Sequence, residues 1–346
     1  MTLVSIIGEF CSSIIPVFYY YKDKITHHII VTLPQNKNVA NDFKVGIENF
    51  SKKHNLKIKN EIFFLDEDMI SSLNKLILKI PNNSIINTTD GLSFINSYLS
   101  INLNNAKFVS YNIFENQMIV FDKNTFSKLN PPSISIKDFF ILRNIEITSI
   151  GNKEYAKKYQ KEIKEIFEKN HNDFIRFKST LSKNSSLPPR KDFFEIYKIL
   201  DKMNIGNDYN DVFQLITGTL FEYYVYVKLK EFGFDDIEIG VKVKINNVEN
   251  EFDLLVMEQN HLHIIECKHK FFRTLNLAEL IYKYHSLRSI IDYDARAVIV
   301  SLVKKYSQNF INRALNFNVG LFDIQHVENI NEFLRSGKYN IQEFRL

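Results

Sequence analysis

The stretch Glu251-Phe-Asp253-Leu-Leu-Val-Met-Glu-Gln-Asn-His-Leu-His-Ile-Ile-Glu266-Cys-Lys268 decides the fold of the C-terminal half of this chain. Two apolar runs flank a short polar segment, Gln259-Asn260, and their branched and aromatic residues are typical of β-strands. A two-residue loop is the commonest connection in a β-hairpin. The pattern therefore predicts two antiparallel strands, at 252–257 and 262–268.

Three charged residues of this hairpin are predicted to share one face. A turn at Gln259-Asn260 places Asp253 directly opposite Glu266, and directly opposed residues have Cβ atoms about 4.5–5.5 Å apart on the same face. Because side chains alternate along a strand, Lys268 lies on the face of Glu266. Such charges are unfavourable among apolar residues unless they have partners.

A divalent cation would stabilise this acidic patch. Two close carboxylates repel unless a cation lies between them or one of them is protonated. Mg²⁺ and Mn²⁺ prefer oxygen ligands and keep several waters, which leaves room for a phosphate group. We therefore expect Asp253 and Glu266 to bind Mg²⁺ or Mn²⁺, and Lys268 to assist an attacking water. The alternative is an ordinary acid–base ladder on a surface strand, but apolar residues on both faces of the hairpin argue against it.

A helix with a glutamate in its apolar stripe is predicted before the hairpin. The positions with helical spacing are Leu215, Gly218, Glu222, Val225 and Leu229. A strand is expected at 241–245, a helix at 277–291 and a further strand at 295–302. On the second of these helices, Tyr284 and His285 are further candidates to approach a phosphate.

The hairpin residues resemble the motif of the PD-(D/E)xK nuclease superfamily, with Asp253 beginning one strand and Glu266-Cys267-Lys268 ending the next. The predicted order of helix, three strands, helix and strand matches the core of that superfamily. The resemblance implies a nuclease domain with a mixed sheet at 206–346. It also implies that Glu222 is a further metal ligand, although a surface salt bridge is the alternative.

The first 148 residues alternate short apolar strands with helical segments, which is typical of a parallel, doubly wound α/β sheet. Strands are predicted at 3–7, 28–33, 58–65, 84–88 and 107–111, and helices at about 13–22, 38–54, 67–80 and 91–103. Such sheets bind ligands at the carboxyl ends of their strands. Residues 149–205 are predicted to form a helical linker region between the two domains.

Two of these strand ends carry small or polar residues. The candidates for ligand binding are Gly8, Glu9, Ser12 and Ser13 after the first strand, and Thr88, Thr89, Asp90 and Gly91 after the fourth. Backbone amides and hydroxyls at the beginning of a helix suit a phosphate group. Thr and Asp are also favoured N-caps, so ordinary capping is the slightly favoured interpretation, and the two are compatible.

The segment Asn87-Thr88-Thr89-Asp90-Gly91 resembles the Asn-x-Thr-Gly-Gly loop of CARF domains, the Rossmann-like sensors of cyclic oligoadenylate, with Asp90 in place of the first glycine. Together with the hairpin, it makes the whole chain resemble the CARF nucleases of type III CRISPR immunity. The resemblance implies a homodimer that is activated by cyclic tetraadenylate. It also implies cleavage of single-stranded DNA, RNA or both.

Composition sets broader bounds. The chain has 346 residues and a net charge of +4, which is too mild to indicate nucleic-acid binding by itself. No apolar run has the length of a membrane span, and Glu9 interrupts the N-terminal apolar stretch, so neither an anchor nor a secretory signal is expected. With two cysteines, Cys11 and Cys267, a disulfide framework is not predicted, and a cytoplasmic protein is expected.

Two other functions are compatible with parts of this pattern. One is a stand-alone repair or restriction nuclease whose N-terminal half binds DNA, and the lack of a concentrated basic patch there argues against it. The other is a nucleotide-sensing regulator without catalytic activity. The presence of Asp253, Glu266 and Lys268 together argues against that second alternative.

Overall fold

The chain divides into two compact units, and the computed structural model describes residues 1–9, 11–123, 125–245, 247–268, 277–291, 295–302 and 308–336. Unit 1 comprises Met1–Ile147, Val243–Glu249 and Gln259–His261. Unit 2 comprises Thr148–Lys242, Asn250–Glu258 and Leu262–Leu346. The turn of the hairpin thus belongs to unit 1, whereas most of each strand, Asn250–Glu258 and Leu262 onward, belongs to unit 2.

Unit 1 is built on a seven-stranded sheet. Its strands are β1 (Thr2–Ile7), β2 (His27–Thr32), β3 (Lys59–Phe64), β4 (Ile85–Asn87), β5 (Lys107–Asn112), β6 (Gln117–Asp122) and β7 (Thr125–Leu129). They lie in the order β3-β2-β1-β4-β5-β6-β7, and the first five are parallel. This confirms the predicted Rossmann-like α/β fold. The antiparallel strands β6 and β7 extend the sheet beyond the prediction.

Helices cover both faces of this sheet. They are α1 (Ile15–Tyr21), α2 (Lys37–Lys53), α3 (Met69–Lys79), α4 (Ser93–Asn102) and α5 (Ile136–Leu142). On one face, Leu76 of α3 and Leu99 of α4 join Val31 of β2 in a hydrophobic cluster. On the other, Phe18 of α1 packs edge-on against Phe43 of α2. Side chains alternate along β2, so the strand contributes to both layers.

The second sheet has six strands and is mixed, as predicted. Its strands are β8 (Glu146–Ser149), β9 (Asp236–Ile245), β10 (Val248–Glu258), β11 (His261–Lys268), β12 (Ala297–Ser301) and β13 (Val319–Asp323). They lie in the order β13-β12-β11-β10-β9-β8, with β11, β12 and β13 parallel. Strands β10 and β11 are joined by two residues, which requires them to be antiparallel. Strand β11 lies between β10 and β12, so both of its edges are paired, and its residues from Leu262 to Cys267 are buried.

The helices of the C-terminal part are α6 (Lys153–Lys158), α7 (Gln160–Lys164), α8 (His171–Asn184), α9 (Phe194–Lys202), α10 (Tyr209–Gln214), α11 (Leu220–Lys230), α12 (Leu277–Ile291), α13 (Gln308–Asn316) and α14 (Asn329–Arg335). Ile163 of α7 and Ile196 of α9 share a hydrophobic cluster with Val256 of β10 and Ile265 of β11. The helices of the predicted linker region therefore contribute to the core that supports the hairpin.

The helix that carries Glu222 differs from the prediction at its beginning. A π-helical turn, Leu215–Thr219, precedes α11, so the α-helix begins at Leu220. A π-helical turn contains more residues than an α-helical turn, which interrupts the simple spacing expected between Leu215 and Glu222. From Leu220 onward the prediction is correct, with Val225 and Leu229 fully buried.

The hairpin turn is the one that the sequence predicts. Gln259 and Asn260 both have left-handed backbone conformations, with φ of 52° and 63°, as a two-residue type I′ turn requires. Within unit 1, the Tyr111 hydroxyl donates a hydrogen bond to the carbonyl of Gln259 at 3.2 Å. The side-chain oxygen of Asn260 accepts one from the backbone N–H of Ile134 at 2.9 Å.

Candidate active site

Asp253, Glu266 and Lys268 come together on the two strands of the hairpin. Asp253 Oδ2 accepts a hydrogen bond of 2.7 Å from the backbone N–H of Cys267. Glu266 is 4% exposed, and its Oε1 accepts a hydrogen bond from the Lys268 ammonium. The predicted hairpin register is therefore consistent with the contacts that the structure shows.

Glu222 of α11 lies close enough to these groups to interact with them electrostatically. The pKa of Glu222 is raised to about 7, first by burial and then by the negative charges of Glu251 and Glu266. Burial, Glu266 and Glu222 raise the pKa of Asp253 well above its usual range. The site therefore holds an excess of carboxylates, because the charge of Glu266 hinders the ionisation of both Glu222 and Asp253.

Lys268 partly offsets this negative charge. Burial lowers the pKa of its ammonium, but the carboxylates of Glu266 and Asp253 outweigh that effect and raise it. Lys268 is therefore charged at neutral pH. An ammonium beside a buried carboxylate can move to a developing negative charge only if the carboxylate has another partner.

The donor set fits a hard divalent cation. In the part of the chain that the structure describes, no three His, Cys, Asp or Glu side chains are arranged to hold a metal ion. Mg²⁺, however, usually binds through one or two carboxylates and keeps its waters. The repulsion between Asp253 and Glu266 is the charge pattern that a bound cation relieves. Metal binding by Asp253 and Glu266, like the role of Glu222, stays a prediction.

The structure also assigns a place to the two candidates on α12. The Tyr284 hydroxyl donates a hydrogen bond to Glu266 Oε2, and its side chain is 1% exposed. Burial and the charge of Glu266 raise the pKa of Tyr284, so its hydroxyl stays a donor. His285 instead lies 3.2 Å from Arg288, measured from Nδ1 to Nη2, and packs on Phe317.

The two predicted ligand-binding loops of unit 1 meet each other. Strands β1 and β4 are parallel neighbours, so their carboxyl ends lie side by side. The backbone N–H of Gly8 donates a hydrogen bond of 3.1 Å to Asp90 Oδ2. Asp90 thus occupies an amide of the first loop, where a glycine would leave that amide available to an anion.

The prediction of ordinary capping is wrong for this segment. The N-cap of α4 is Leu92, which makes no side-chain capping hydrogen bond. The Thr89 hydroxyl donates to Asn87 Oδ1 at 2.6 Å, and Thr88 Oγ1 donates to the carbonyl of Val109 at 3.3 Å. These side chains fix the loop itself, because their nearest partners lie on β4 and β5 and not on the helix.

The other predicted ligand residues follow strand β1 in the chain. Ser12 and Ser13 are half-buried at a 3₁₀ turn, and Glu9 is exposed. Two residues near the loops were not predicted. Arg143 Nη1 donates to Cys11 Sγ at 3.1 Å, and Asn96 Nδ2 lies 3.3 Å from the carbonyl oxygen of Asp90. A cavity of about 740 Å³ lies beside the second loop, lined among others by Thr88, Asn96 and Phe108.

Residues 209–341 match the family model described as Card1-like, endonuclease domain. The match indicates that this part of the chain is similar to a Card1-like endonuclease domain. The match includes Glu222, Asp253, Glu266, Lys268 and Tyr284, and it excludes the two loops of unit 1. Together with the Rossmann-like fold of unit 1, the matched region agrees with the predicted architecture of a CARF-like domain followed by a nuclease domain.

Two solved structures resemble the whole chain. Protein VC1899 from Vibrio cholerae is 16% identical with a TM-score of 0.75, and the match covers 97% of each chain. Can2 from Sulfobacillus thermosulfidooxidans, solved in complex with cyclic tetra-adenylate, is 16% identical with a TM-score of 0.70, covering 97% of this chain and 99% of Can2. At this identity they show a common fold. A search of the curated proteins finds no match.

The lengths and apolar character of the helices bear on membrane insertion. None of the helices described is both long and apolar enough to cross a membrane.

Proposed function

We propose that this protein is a metal-dependent nuclease that a cyclic oligoadenylate switches on. The observation that carries the proposal is the set of Asp253, Glu266 and Lys268 on one hairpin of a Card1-like endonuclease domain. Asp253 and Glu266 would hold Mg²⁺ or Mn²⁺, with assistance from Glu222. The substrate is single-stranded DNA, RNA or both, cleaved in the cytoplasm as part of type III CRISPR defence.

Each residue of the site has a separate task in phosphodiester hydrolysis. The cation, when bound, would polarise the phosphoryl oxygen and lower the pKa of a water. Lys268 would hold the attacking water or stabilise the negative charge that develops on the phosphate. The Cys267 N–H fixes the Asp253 carboxylate, so this ligand keeps its direction through the reaction. Glu222, with a pKa of about 7, would be able to exchange a proton near neutral pH.

The activator would bind at the two loops of unit 1. The resemblance of Asn87–Gly91 to the CARF loop and the complex of Can2 with cyclic tetra-adenylate support this ligand. Its two-fold symmetry would suit a homodimer in which each copy contributes the same loops. Ligand binding would then favour one of two arrangements of the nuclease domains.

Cleavage assays with the purified full chain test this function. The protein is incubated with Mn²⁺ and labelled single-stranded DNA or RNA, with cyclic tetraadenylate, with cyclic hexaadenylate, or with neither. We expect cleavage that depends on cyclic tetraadenylate and on the metal. Glu266→Ala should abolish it, since the buried carboxylate at the centre of the site is lost.

Glu258→Gln is the matched control, because Glu258 is a buried carboxylate of the same hairpin that pairs with Arg335 at 2.8 Å. It should cleave like the wild type. Cleavage without the cyclic nucleotide would support a stand-alone nuclease instead. Full activity of Glu266→Ala, or no cleavage under any condition, would refute the proposed site or the proposed activity. A Mn²⁺ titration of wild type and Asp253→Asn separates an inactive sensor from a nuclease.

A further inference from the structure

Two hydrogen bonds from different elements hold the Glu266 carboxylate. Lys268, two residues further along β11, donates to Oε1. Tyr284 of α12 donates to Oε2. One partner therefore belongs to the strand that carries the carboxylate, and the other comes from a separate helix.

The ring of Tyr284 accounts for its packing in the core, and a phenylalanine ring would pack in the same way. The hydroxyl therefore calls for a separate explanation. The buried positions of α12 include Ile281, Tyr284 and Ile291, which form one apolar stripe of the helix. The Tyr284 hydroxyl is a polar group among these apolar side chains, and a buried tyrosine hydroxyl needs a hydrogen-bond partner. Its partner is Glu266, a residue of the proposed reaction.

Lys268 alone cannot keep Glu266 in place during the reaction. Its side chain is 24% exposed and flexible, whereas Glu266 is almost buried. An ammonium that follows a water or a phosphate leaves Oε1 without a donor. Tyr284 is a rigid side chain fixed within the core, so its hydrogen bond persists when Lys268 moves.

We propose that Tyr284 is a positioning residue that holds the Glu266 carboxylate for binding of a divalent cation. The inference rests on the proposed function for the identity of the site. Groups that hydrogen-bond to metal ligands fix their orientation, and their loss typically weakens metal affinity or activity about 10–100-fold. Tyr284 has this relation to Glu266 through a single hydroxyl.

The test is Tyr284→Phe in the full chain, which removes the hydroxyl and keeps the ring. Mn²⁺ affinity is measured by calorimetric titration without nucleic acid or cyclic nucleotide. We expect Tyr284→Phe to bind Mn²⁺ about 10–100-fold more weakly than the wild type. In single-turnover cleavage, its rate should fall at low Mn²⁺ and recover toward the wild-type rate at high Mn²⁺, with unchanged affinity for the nucleic acid.

Tyr197→Phe is the matched control, because the Tyr197 hydroxyl is also buried in unit 2 and donates to the carbonyl of Pro188 at 2.5 Å. It should leave Mn²⁺ affinity unchanged. The same midpoint of thermal unfolding in both variants would show that any difference in Mn²⁺ affinity is local.

The inference is overturned if Tyr284→Phe binds Mn²⁺ as tightly as the wild type, or if Tyr197→Phe weakens binding as much. It is also overturned if the wild type binds no Mn²⁺. If the wild type binds Mn²⁺ but does not cleave, the proposed function fails, and the titration of Tyr284→Phe still decides the role of Tyr284.

Discussion

At the residue scale, Lys268 and Tyr284 hydrogen-bond to different oxygens of the Glu266 carboxylate, Oε1 and Oε2. In the proposed site, Lys268 would compete with the metal for Oε1, whereas Tyr284 would leave Oε1 available. Changing each residue alone should therefore show which one affects the rate of cleavage and which one affects the affinity for the metal.

Lys268→Met should lower the single-turnover rate of cleavage about 10²–10³-fold, because a group that stabilises developing charge is lost. Mn²⁺ should bind as tightly as in the wild type or more tightly, since the competing ammonium is gone. Rates are measured at saturating Mn²⁺, and affinity by calorimetry. Lys198→Met, which removes an exposed lysine paired with Glu195, serves as the control. A rate within twofold of the wild type would exclude a catalytic role for Lys268.

Position 91 requires a glycine, both for its backbone conformation and for the space around it. Its φ is +88°, and a Cβ atom there would lie 2.3 Å from Cγ2 of Ile6. Gly91→Ala should destabilise the protein by about 1–3 kcal/mol or more, from backbone strain and the clash together. Thermal and urea unfolding measure the change.

Gly218→Ala is the comparison for this variant, because a Cβ at Gly218 meets nothing within 4 Å and its φ is ordinary. It should leave stability unchanged or slightly increased. Equal stability of the two variants would contradict the assigned strain at Gly91.

At the element scale, Asp138 holds three helices of unit 1 together. Its carboxylate accepts hydrogen bonds from Tyr19 of α1 at 3.0 Å and from Lys53 of α2 at 2.8 Å, and His54 Nε2 lies 3.0 Å away. Burial raises the pKa of Asp138, but the hydrogen bonds from Lys53 and His54 outweigh it and lower the pKa below its usual value.

A lowered pKa means that the carboxylate stabilises the folded state when it is ionised. This stabilisation is fully present above the unfolded pKa of about 3.9 and is lost as the pH falls through the lower folded value. Asp138→Asn should therefore lower the free energy of unfolding by about 1–3 kcal/mol at pH 7 and by less at pH 3. Urea unfolding at several pH values checks this.

The control is Asp173→Asn, whose exposed ion pair with Arg176 is expected to contribute less than about 1 kcal/mol. A difference between wild type and Asp138→Asn that stays constant from pH 7 to pH 3 would contradict the assignment.

Strands that are buried on both faces could be predicted from the sequence, whereas the exposed strand at the edge of the sheet could not. Strands β1 and β2 are mainly apolar in their central residues and almost entirely buried, because helices cover both sides of the sheet. Strand β7 is exposed or half-exposed along its length, so no apolar period indicates it. The π-helical turn before α11 has no sequence signal comparable to a cap or a proline.

The candidate site was predictable where its residues are local. Asp253, Glu266 and Lys268 follow from strand alternation and a two-residue turn. Asp90 was expected to cap a helix, but Gly8, 82 residues away, provides its partner instead. The role of Tyr284 depends in the same way on how α12 packs, which periodicity does not specify.

At the scale of the whole molecule, the two compact units do not correspond to two consecutive parts of the chain. A family model covers 209–341, yet the Val243–Glu249 and Gln259–His261 segments within that range belong to unit 1. Unit 1 is therefore not an N-terminal block alone. Exchanging unit 1 for that of a relative would mean transplanting three separate segments, including Gln259–His261 at the turn of the hairpin that carries Asp253 and Glu266. Units 1 and 2 are consequently expected to be inherited together. Recombination at a single junction near residue 148 would combine Asn260 of one parent with the backbone of Ile134 of the other, although the two are hydrogen-bonded within unit 1.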